Sequence, residues 1–445
     1  MVLVNACSDP HWKKHLHEEI ERDPPLCVGT TSITGNQVFS SLEAVAIAAR
    51  RGGIPVVWGG IHGTLFPDMM LNEAPVDVVV RKEGEDTFPE LVEALEQGAD
   101  LEGIQGISFR RNGRVVHNPD RPWVDLETLP EVPYEWIRGP VHFLTEGKPT
   151  LYLETSRGCF SGCTYCYNQA YHQRRWRAQS AEKVLARIKD LLERFPAIRH
   201  LSLVDDNYFG KPQRAQEIAE GLARMGTPVT YQVQGAHIEQ ISRMEDASFD
   251  LLARSGCVRL DMGVESGSPE VLQRVKKKIR PDQVLEINRK LRRAGIRPWF
   301  NFMAGFPGET AEDLKRTRSL IFALLRENPS SLISPVYPLA PYPGTELFRE
   351  AVALGFRPPE HLAEWKDYHL ANRSIPWIDD RRRKQIQAMY FLSIFVDEKL
   401  EIYDTKPLYR WLARVYRPVA RFRLKRGFFK GMPELALFQR LFDTS

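Results

Sequence analysis

Short runs of apolar, often β-branched residues alternate with longer helical stretches along most of the chain. This alternation favours a parallel sheet whose strands are joined by helices. An eight-stranded barrel needs two more units than the second half provides, so we predict a partial (β/α)6 barrel. Its six predicted strands are 151–155, 200–206, 229–235, 258–265, 299–306 and 332–339.

The first hundred residues show the same alternation and predict a separate doubly wound α/β domain with a parallel sheet. Asn112-Gly113 lies between two further strands, 107–110 and 114–117, and predicts a tight hairpin. Five prolines between Pro119 and Pro140 indicate a crossing between domains. The predicted strands of the first domain are 2–4, 26–30, 56–58 and 76–80. We predict domains at 1–118 and 146–345, a linker at 119–145, and a helical, basic C-terminal region at 346–445.

Composition indicates a globular protein, because 43% of the 445 residues are hydrophobic. No run of about 18 uncharged apolar residues occurs, and the start of the chain does not resemble a leader peptide. These features predict a cytoplasmic protein. Six cysteines are too few for a disulfide framework in a chain of this length. Cys7, Cys27 and Cys257 stand alone and are predicted to be buried structural thiols.

The positive charge is concentrated at the C-terminus, where the last forty residues hold ten basic and two acidic side chains. Aromatic and aliphatic residues alternate with these basic residues. Such a segment predicts either peripheral contact with an anionic membrane surface or a solvated basic face on a packed helix. It also suggests a small, anionic or lipid-like substrate. No other feature supports binding to nucleic acid, and we predict none.

Three cysteines, Cys159, Cys163 and Cys166, follow the first barrel strand with the spacing C-x3-C-x2-C. A four-iron cluster is normally held by four thiolates, so three would leave one iron open to a small chelating molecule. Two alternatives stay open: a zinc site completed by a distant histidine such as His172, or an electron-transfer cluster with a fourth ligand elsewhere.

This motif at the end of the first strand of a partial barrel resembles the radical S-adenosylmethionine superfamily. The resemblance implies a 4Fe-4S cluster on the three cysteines, whose open iron binds S-adenosylmethionine through its methionine amine and carboxylate. An electron, supplied by a flavodoxin- or ferredoxin-type reductant, then releases a 5′-deoxyadenosyl radical. The residues that the resemblance places around S-adenosylmethionine are Tyr165, Asp205, Asp206, Gln234, Glu265, Ser266, Lys277 and Gly305. Taken alone, Asp205-Asp206-Asn207 is also typical of a turn, and Lys276–Lys278 of a solvated charge run.

Small and hydroxyl residues follow three predicted strands of the first domain and leave room for a bulky ligand. Their order resembles the cobalamin-binding domain of one radical S-adenosylmethionine subclass. The residues that this resemblance assigns to cobalamin are Ser32, Thr34, Gly59, Gly60, His62 and Glu83. The usual first strand of that domain is absent, which predicts either a shortened chain start or a domain that no longer holds cobalamin. His62 is within reach of the cofactor on this view, although a lone histidine is also typical of polar surface.

The combined resemblance implies a cobalamin-dependent radical methyltransferase that acts on an unactivated carbon. Two alternatives stay open: a radical cyclase or oxidoreductase without methyl transfer, and a non-catalytic iron–sulfur protein.

Overall fold

The computed structural model describes residues 1–6, 9–138, 143–226, 229–368, 375–402 and 406–435. The chain forms two compact units, which we call the N-terminal unit and the barrel unit. The N-terminal unit comprises Met1–Val141, Cys166–Gln173 and Ala340–Arg373. The barrel unit comprises His142–Tyr165, Arg174–Leu339 and Ser374–Ser445. The domain boundaries predicted from the sequence stay predictions. Residues 139–142 of the predicted linker and 436–445 of the basic region lie outside the described residues.

The N-terminal unit is built on a five-stranded sheet with strand order β2-β3-β4-β5-β6. β2, β3 and β4 are parallel, whereas β5 and β6 continue the sheet in antiparallel pairing. The strands of this unit are β1 (Leu3–Val4), β2 (Val28–Thr31), β3 (Val56–Gly59), β4 (Val78–Val80), β5 (Ile107–Arg111), β6 (Arg114–His117) and β7 (Ile137–Arg138). Its first helices are α1 (Trp12–Arg22), α2 (Asn36–Arg51), α3 (Gly60–Leu65), α4 (Pro67–Glu73) and α5 (Thr87–Gln97).

The predicted hairpin is confirmed, because β5 and β6 pair across Asn112 and Gly113. Both turn residues have positive φ angles, +50° for Asn112 and +77° for Gly113. Such turns match the right-handed twist of the paired strands, and Asn-Gly is the dipeptide that adopts them most readily.

The prediction that 2–4 form a strand of the main N-terminal sheet is wrong. Leu3–Val4 instead pairs in parallel with Ile137–Arg138, in a separate two-stranded sheet. Val2 is 49% exposed and Leu3 and Val4 are only partly buried, so this segment lacks the buried faces of a central parallel strand. The main sheet begins at Val28.

The barrel unit contains a seven-stranded open sheet in the order β16-β15-β14-β13-β12-β9-β8. Six of these strands are parallel and coincide with the six predicted from the sequence, so the partial barrel is confirmed. β8 adds an antiparallel edge that was not predicted. The strands of this unit are β8 (Phe143–Thr145), β9 (Lys148–Leu153), β10 (Ser156–Arg157), β11 (Arg177–Ala178), β12 (His200–Val204), β13 (Thr230–Gln234), β14 (Cys257–Glu265), β15 (Arg297–Ala304) and β16 (Leu332–Pro338).

Helices follow the barrel strands, as the alternating pattern predicts. They are α6 (Ala181–Arg194), α7 (Pro212–Met225), α8 (Ile238–Ile241), α9 (Asp246–Arg254), α10 (Pro269–Arg274), α11 (Pro281–Ala294) and α12 (Ala311–Glu327). Phe300, Phe302 and Ala304 alternate along β15 with no exposed surface, which is the pattern of a strand packed on a core. α13 (Glu346–Ala353) returns to the N-terminal unit.

The edge strand β16 is covered by α14 (Asp380–Ser393), on which α16 (Pro407–Arg426) packs after the short α15 (Lys399–Ile402). The Ser393 hydroxyl accepts a hydrogen bond from Val336 N at 2.8 Å, and Asp397 Oδ2 accepts one from Ile333 N at 2.7 Å. These side chains occupy donors that an exposed edge strand would leave unpaired.

The lone cysteines have different surroundings. Cys257 is buried on β14, and burial raises the pKa of its thiol to about 12. Cys27 is half-buried, and burial also raises its pKa. Cys7 lies outside the described residues. Among the residues that the structure describes, no helix is both long enough and apolar enough to cross a membrane.

Candidate active site

The cysteine loop leaves β10 and leads into a short 3-10 helix at Tyr167–Gln169. Cys159 and Cys163 are buried, with 3% and 6% exposure, and Cys166 is half-buried. All three are free thiols. The loop therefore carries its three sulfur donors within eight positions, without a disulfide that would remove any of them.

Two aspartates at the end of β12 hold the start of this loop. Asp205 accepts hydrogen bonds from Thr155 N at 2.7 Å and from the Thr155 and Ser156 hydroxyls at 2.6 Å each. Burial raises the pKa of Asp205, while these hydrogen bonds act in the opposite direction. Asp206 Oδ2 accepts one from Gly158 N at 2.8 Å. The two side chains thus fix the backbone just before Cys159; their predicted contact with the methionine amine stays a prediction.

The Cys159 sulfur lies among polar groups. Ser161 N donates to it at 3.4 Å, Asn207 Nδ2 at 3.8 Å, and His237 Nε2 lies 3.6 Å away. Burial is the main cause that raises the pKa of the Cys159 thiol, and the hydrogen bonds from Ser161 lower it. A bound metal stabilises the thiolate, and nearby N–H donors stabilise it further.

His237 was missed by the sequence reasoning. Its Nδ1 lies 3.4 Å from the Ser161 hydroxyl, so the ring contacts the cysteine loop at two points. Burial lowers its pKa to about 3, so the ring is neutral at physiological pH. A single histidine after a predicted strand, in no recognised motif, carries no signal that would have identified it.

This donor set fits an iron–sulfur cluster. Two buried thiols and one half-buried thiol come from one loop, and amide donors surround the first of them. Among the described residues, no three His, Cys, Asp or Glu side chains meet closely enough to hold a single metal ion. Thiolates that hold a four-iron cluster bind different irons and do not need to meet at one ion.

A second group of predicted residues meets beside β14. Lys277 Nζ lies 3.3 Å from Glu265 Oε1 and 3.5 Å from the Tyr165 hydroxyl. The Tyr165 ring packs 5.9 Å from that of Phe306. Glu265 and Lys277 are largely buried, with side chains 10% and 11% exposed. Glu265 also has a φ of +69°, a strained conformation that is common at functional sites.

Gly263 provides the space in which this pair lies. A Cβ built at position 263 would clash with Glu265 Oε1 and lie 2.9 Å from Lys277 Nζ. Only glycine leaves both charged side chains where they are. Tyr165, Glu265 and Lys277 therefore form a compact group, which we call the β14 charge pair site.

The remaining predicted contacts for S-adenosylmethionine have partners within the protein. Gln234 Nε2 donates to the Ser202 hydroxyl at 3.2 Å. The Ser266 hydroxyl lies 3.2 Å from that of Thr317. Gly305 N donates to Glu309 Oε2 at 2.6 Å, and Gly305 O accepts from Trp377 Nε1 at 3.0 Å. Their roles in ligand binding stay predictions.

We predict that Glu309→Gln stabilises the protein at alkaline pH. Burial is the main cause that raises the pKa of Glu309 to about 7, and the charge of Asp313 adds to it. Folding therefore favours the protonated carboxyl group. The stability that this group contributes is fully present below its unfolded pKa near 4.5, and it is lost as the pH rises through the folded pKa of about 7. Glutamine keeps an acceptor for Gly305 N and carries no charge, so the gain at pH 8 is about 3 kcal/mol.

Thermal unfolding followed by circular dichroism at pH 5, 6, 7 and 8 measures this effect. The Tm values of Glu309→Gln and the wild type should converge at pH 5 and diverge at pH 8. Glu312→Gln, three residues further on in the first turn of α12 with a side chain 57% exposed, is the matched control and should follow the wild type. Parallel curves for Glu309→Gln and the wild type would show that Glu309 does not titrate in this range.

In the N-terminal unit the predicted cobalamin residues surround the end of β3. His62 has no exposed surface, and its Nδ1 is hydrogen-bonded to the Thr34 hydroxyl at 3.1 Å. Its ring packs 5.1 Å from Phe66 and 5.4 Å from Trp365, so His62 is buried rather than polar surface. Burial lowers its pKa to about 4. Within the described residues, His62 Nε2 is buried without a hydrogen-bond partner.

The neighbouring positions have small or already bonded side chains. Gly60 has a φ of +85°, and a Cβ there would lie 2.8 Å from Ser32 O. The Ser32 hydroxyl accepts from Trp58 Nε1 at 3.0 Å, and Glu83 Oε2 accepts from Val124 N at 3.1 Å. The Gly59-Gly60 turn directly precedes His62 in the chain, and the buried His62 Nε2, which lacks a partner among the described residues, fits a further ligand at this end of the sheet.

Comparison with known families gives two matches. The model of the radical SAM superfamily matches residues 153–321, and the model of the B12 binding domain matches residues 2–92. The first match contains all three cysteines and the β14 charge pair site, and the second contains the turn after β3.

Individual proteins agree with these matches. An uncharacterised methyltransferase of Pyrococcus horikoshii is 30% identical over 338 residues, which are 75% of this chain and 71% of the relative. An anaerobic magnesium-protoporphyrin IX monomethyl ester cyclase of Rubrivivax gelatinosus is 27% identical, over 79% of this chain and 62% of the relative. The cobalamin-dependent S-adenosylmethionine radical enzyme OxsB, solved with aqua-cobalamin and S-adenosylmethionine bound, has the same fold, with a TM-score of 0.72 and 20% identity. That alignment covers 97% of this chain and 69% of OxsB.

Proposed function

Because this chain belongs to the radical S-adenosylmethionine superfamily and carries a B12-binding domain, we propose that it is a cobalamin-dependent methyltransferase acting on an unactivated carbon. The observation that carries the proposal is the presence of two fitting sites in one chain: the cysteine loop with the β14 charge pair site, and the small-residue turn beside His62. When bound, the cluster supplies the electron that cleaves S-adenosylmethionine, and cobalamin carries the methyl group.

The cysteine loop and the β14 charge pair site bind and orient S-adenosylmethionine in this proposal. Cys159, Cys163 and Cys166 hold the cluster. The Lys277 ammonium pairs with the ligand's carboxylate, and Glu265, which contacts that ammonium at 3.3 Å, holds it in position. Both side chains are nearly buried, so their charges act with little screening by water.

The residues of the N-terminal unit hold cobalamin in this proposal. Ser32, Thr34, Gly59, Gly60, His62 and Glu83 line or support the turn that follows β3. His62 is neutral because burial lowers its pKa, so its unsatisfied Nε2 is available as an acceptor or ligand.

A radical cyclase is the second candidate, because a relative with 27% identity carries that name. The two functions differ in the product. A methyltransferase transfers the methyl group of isotopically labelled S-adenosylmethionine to its substrate, whereas a cyclase forms a new ring and incorporates no label.

The test uses the full chain, purified and reconstituted anaerobically with iron and sulfide. We expect bound cobalamin in the absorption spectrum and formation of 5′-deoxyadenosine when the reduced protein meets S-adenosylmethionine. Cobalamin binding without 5′-deoxyadenosine would contradict the radical function. Absence of bound cobalamin, with 5′-deoxyadenosine still formed, would exclude the methyltransferase and favour the cyclase.

A small-molecule substrate and an external reductant follow from the family. Three more specific assignments are part of this proposal. The substrate is lipid-like, the reductant is of the flavodoxin or ferredoxin type, and the basic C-terminal region makes peripheral contact with a membrane.

A further inference from the structure

A groove of about 680 Å³ lies between α12 and α16 in the barrel unit. Five of its ten lining residues are cations, and none is a carboxylate. The five cations are Arg318, Arg326, Arg421, Lys425 and Arg426. This concentration of one sign of charge in a groove is typical of sites that attract anionic ligands.

Arg318 is the unusual member of this set. Its side chain is 8% exposed, and in the part of the chain that the structure describes its Nε and Nη1 are buried without hydrogen-bond partners. The ring of Phe429 lies 5.6 Å from its guanidinium carbon. Burial lowers the pKa of Arg318, because removing the charged guanidinium from water is unfavourable in free energy. A buried cation with unsatisfied donors is stabilised when an anion enters the groove and accepts from it.

α16 presents a row of apolar side chains that begins at the groove with Phe422 and continues toward the start of the helix. Spaced three or four residues apart, they lie on one face of the helix. The members and their exposed fractions are Leu408 62%, Trp411 59%, Leu412 46%, Val415 57%, Val419 44% and Phe422 60%. Ala413, Ala420 and Leu424 on another face are buried, so the helix packs on the barrel unit and turns this apolar row outwards.

We propose that the α12–α16 groove and the apolar row of α16 dock on a membrane surface rich in anionic phospholipid, with the groove binding a headgroup phosphate. The inference rests on the proposed membrane contact and assigns it to named residues. α16 contains seven basic residues and no acidic residue. Arg414, Arg417 and Arg423 form ion pairs with glutamates, and the charge of the groove residues Arg421, Lys425 and Arg426 complements an anionic surface. The same charge opposes pairing with a second copy of this helix. A soluble phosphate compound would use the groove but would leave the adjacent apolar row exposed.

The test is co-sedimentation of the full chain with vesicles of phosphatidylcholine alone or with phosphatidylglycerol. We expect binding only to the anionic vesicles. The groove variant combines Arg326→Ser and Lys425→Ser, both at exposed positions. Each basic residue near an anionic membrane surface adds to the attraction between protein and vesicle. Removing two of them should weaken partitioning of the protein onto the vesicles on the order of 30-fold. The row variant, Leu408→Ser with Trp411→Ser, should weaken it by a similar factor.

The matched control combines Arg224→Ser and Arg243→Ser, which remove the same charge from positions 73% and 76% exposed outside the groove. It should bind like the wild type. Equal weakening of vesicle binding by the control would show that net charge alone attracts the chain. The assignment of the groove as the binding site would then be overturned, while membrane contact would stand. Failure of the wild type to bind anionic vesicles would overturn both.

Two further measurements identify the occupant. Arg318→Met should keep or raise the Tm, because it removes an unpaired buried charge, while weakening vesicle binding; a large loss of Tm would show that Arg318 is structural. Saturable binding of glycerol phosphate without vesicle binding would assign the groove to a soluble ligand and overturn the proposal, as would a dimer in solution that the row variant dissociates. All variants should still form 5′-deoxyadenosine in solution. A failure of the membrane proposal is therefore distinguishable from a failure of the radical function.

Discussion

Replacing Cys163 by alanine is expected to abolish the iron–sulfur absorbance and all formation of 5′-deoxyadenosine. Cys163 is buried in the loop beside Cys159, and two remaining thiolates are not expected to retain a cluster with four irons. The loss should be complete rather than graded, because the cluster supplies the electron for cleavage. Iron content, the visible spectrum and 5′-deoxyadenosine after anaerobic reduction measure the result.

Cys257→Ala is the matched control for this prediction. Cys257 is as buried as Cys163, with 3% against 6% exposure, and lies on β14 in the same unit. Its removal leaves a small cavity in the core and lowers stability, but iron content and cleavage should persist. Normal cleavage by Cys163→Ala would exclude the cysteine loop as the cluster site.

The sequence predicted the barrel well because each of its strands is buried and is followed by a clear helical segment. β14 and β15 start within two residues of their predicted positions. The antiparallel β8 was missed because it is a short edge strand with an exposed Leu144, and short edges carry little hydrophobic pattern. The segment 2–4 was misassigned for the opposite reason: three apolar residues look like a central strand, and only tertiary pairing with Ile137–Arg138 reveals its place.

The candidate site was predictable where residues lie in a motif and unpredictable where they meet only in space. Cys159, Cys163 and Cys166 follow from local sequence. Glu265 and Lys277 were assigned separately through the family resemblance, and only the structure shows that they pair. His237 does not, because its contact with Cys159 joins positions 78 residues apart. The unsatisfied Arg318 was equally hidden, since nothing in a single arginine of an amphipathic helix indicates that its donors lack acceptors.

For Asp205 and Asp206, the sequence predicts that the carboxylates lie at the site but does not predict which groups they contact. Their position after a barrel strand predicts contact with a ligand, and the structure adds a second role, because they hold the backbone of Thr155 and Gly158. Both roles place a carboxylate at the end of β12, so the sequence pattern is the same for each. The hydrogen bonds show that both side chains position the cysteine loop, and their contact with the methionine amine stays a prediction.

Gly263→Ala is expected to weaken binding of S-adenosylmethionine on the order of 100-fold while the cluster is retained. The added methyl group would lie 2.9 Å from Lys277 Nζ and clash with Glu265 Oε1. Both atoms are the ends of flexible side chains, so the pair moves aside and the fold survives. The displaced ammonium then no longer meets the ligand's carboxylate. Equilibrium binding of S-adenosylmethionine to the reconstituted protein measures the affinity, and visible absorbance reports the cluster.

The same exchange at Gly103 provides the control for this prediction. Gly103 is exposed, and a Cβ built there has no neighbour within 4 Å, so Gly103→Ala should bind S-adenosylmethionine like the wild type. Lys277→Met separates the charge from its position: it removes the ammonium without adding bulk at Gly263, and its loss of affinity should match that of Gly263→Ala. Unchanged affinity in both Gly263→Ala and Lys277→Met would mean that the β14 charge pair site lies away from the ligand, because neither displacing nor deleting its cation would then affect binding.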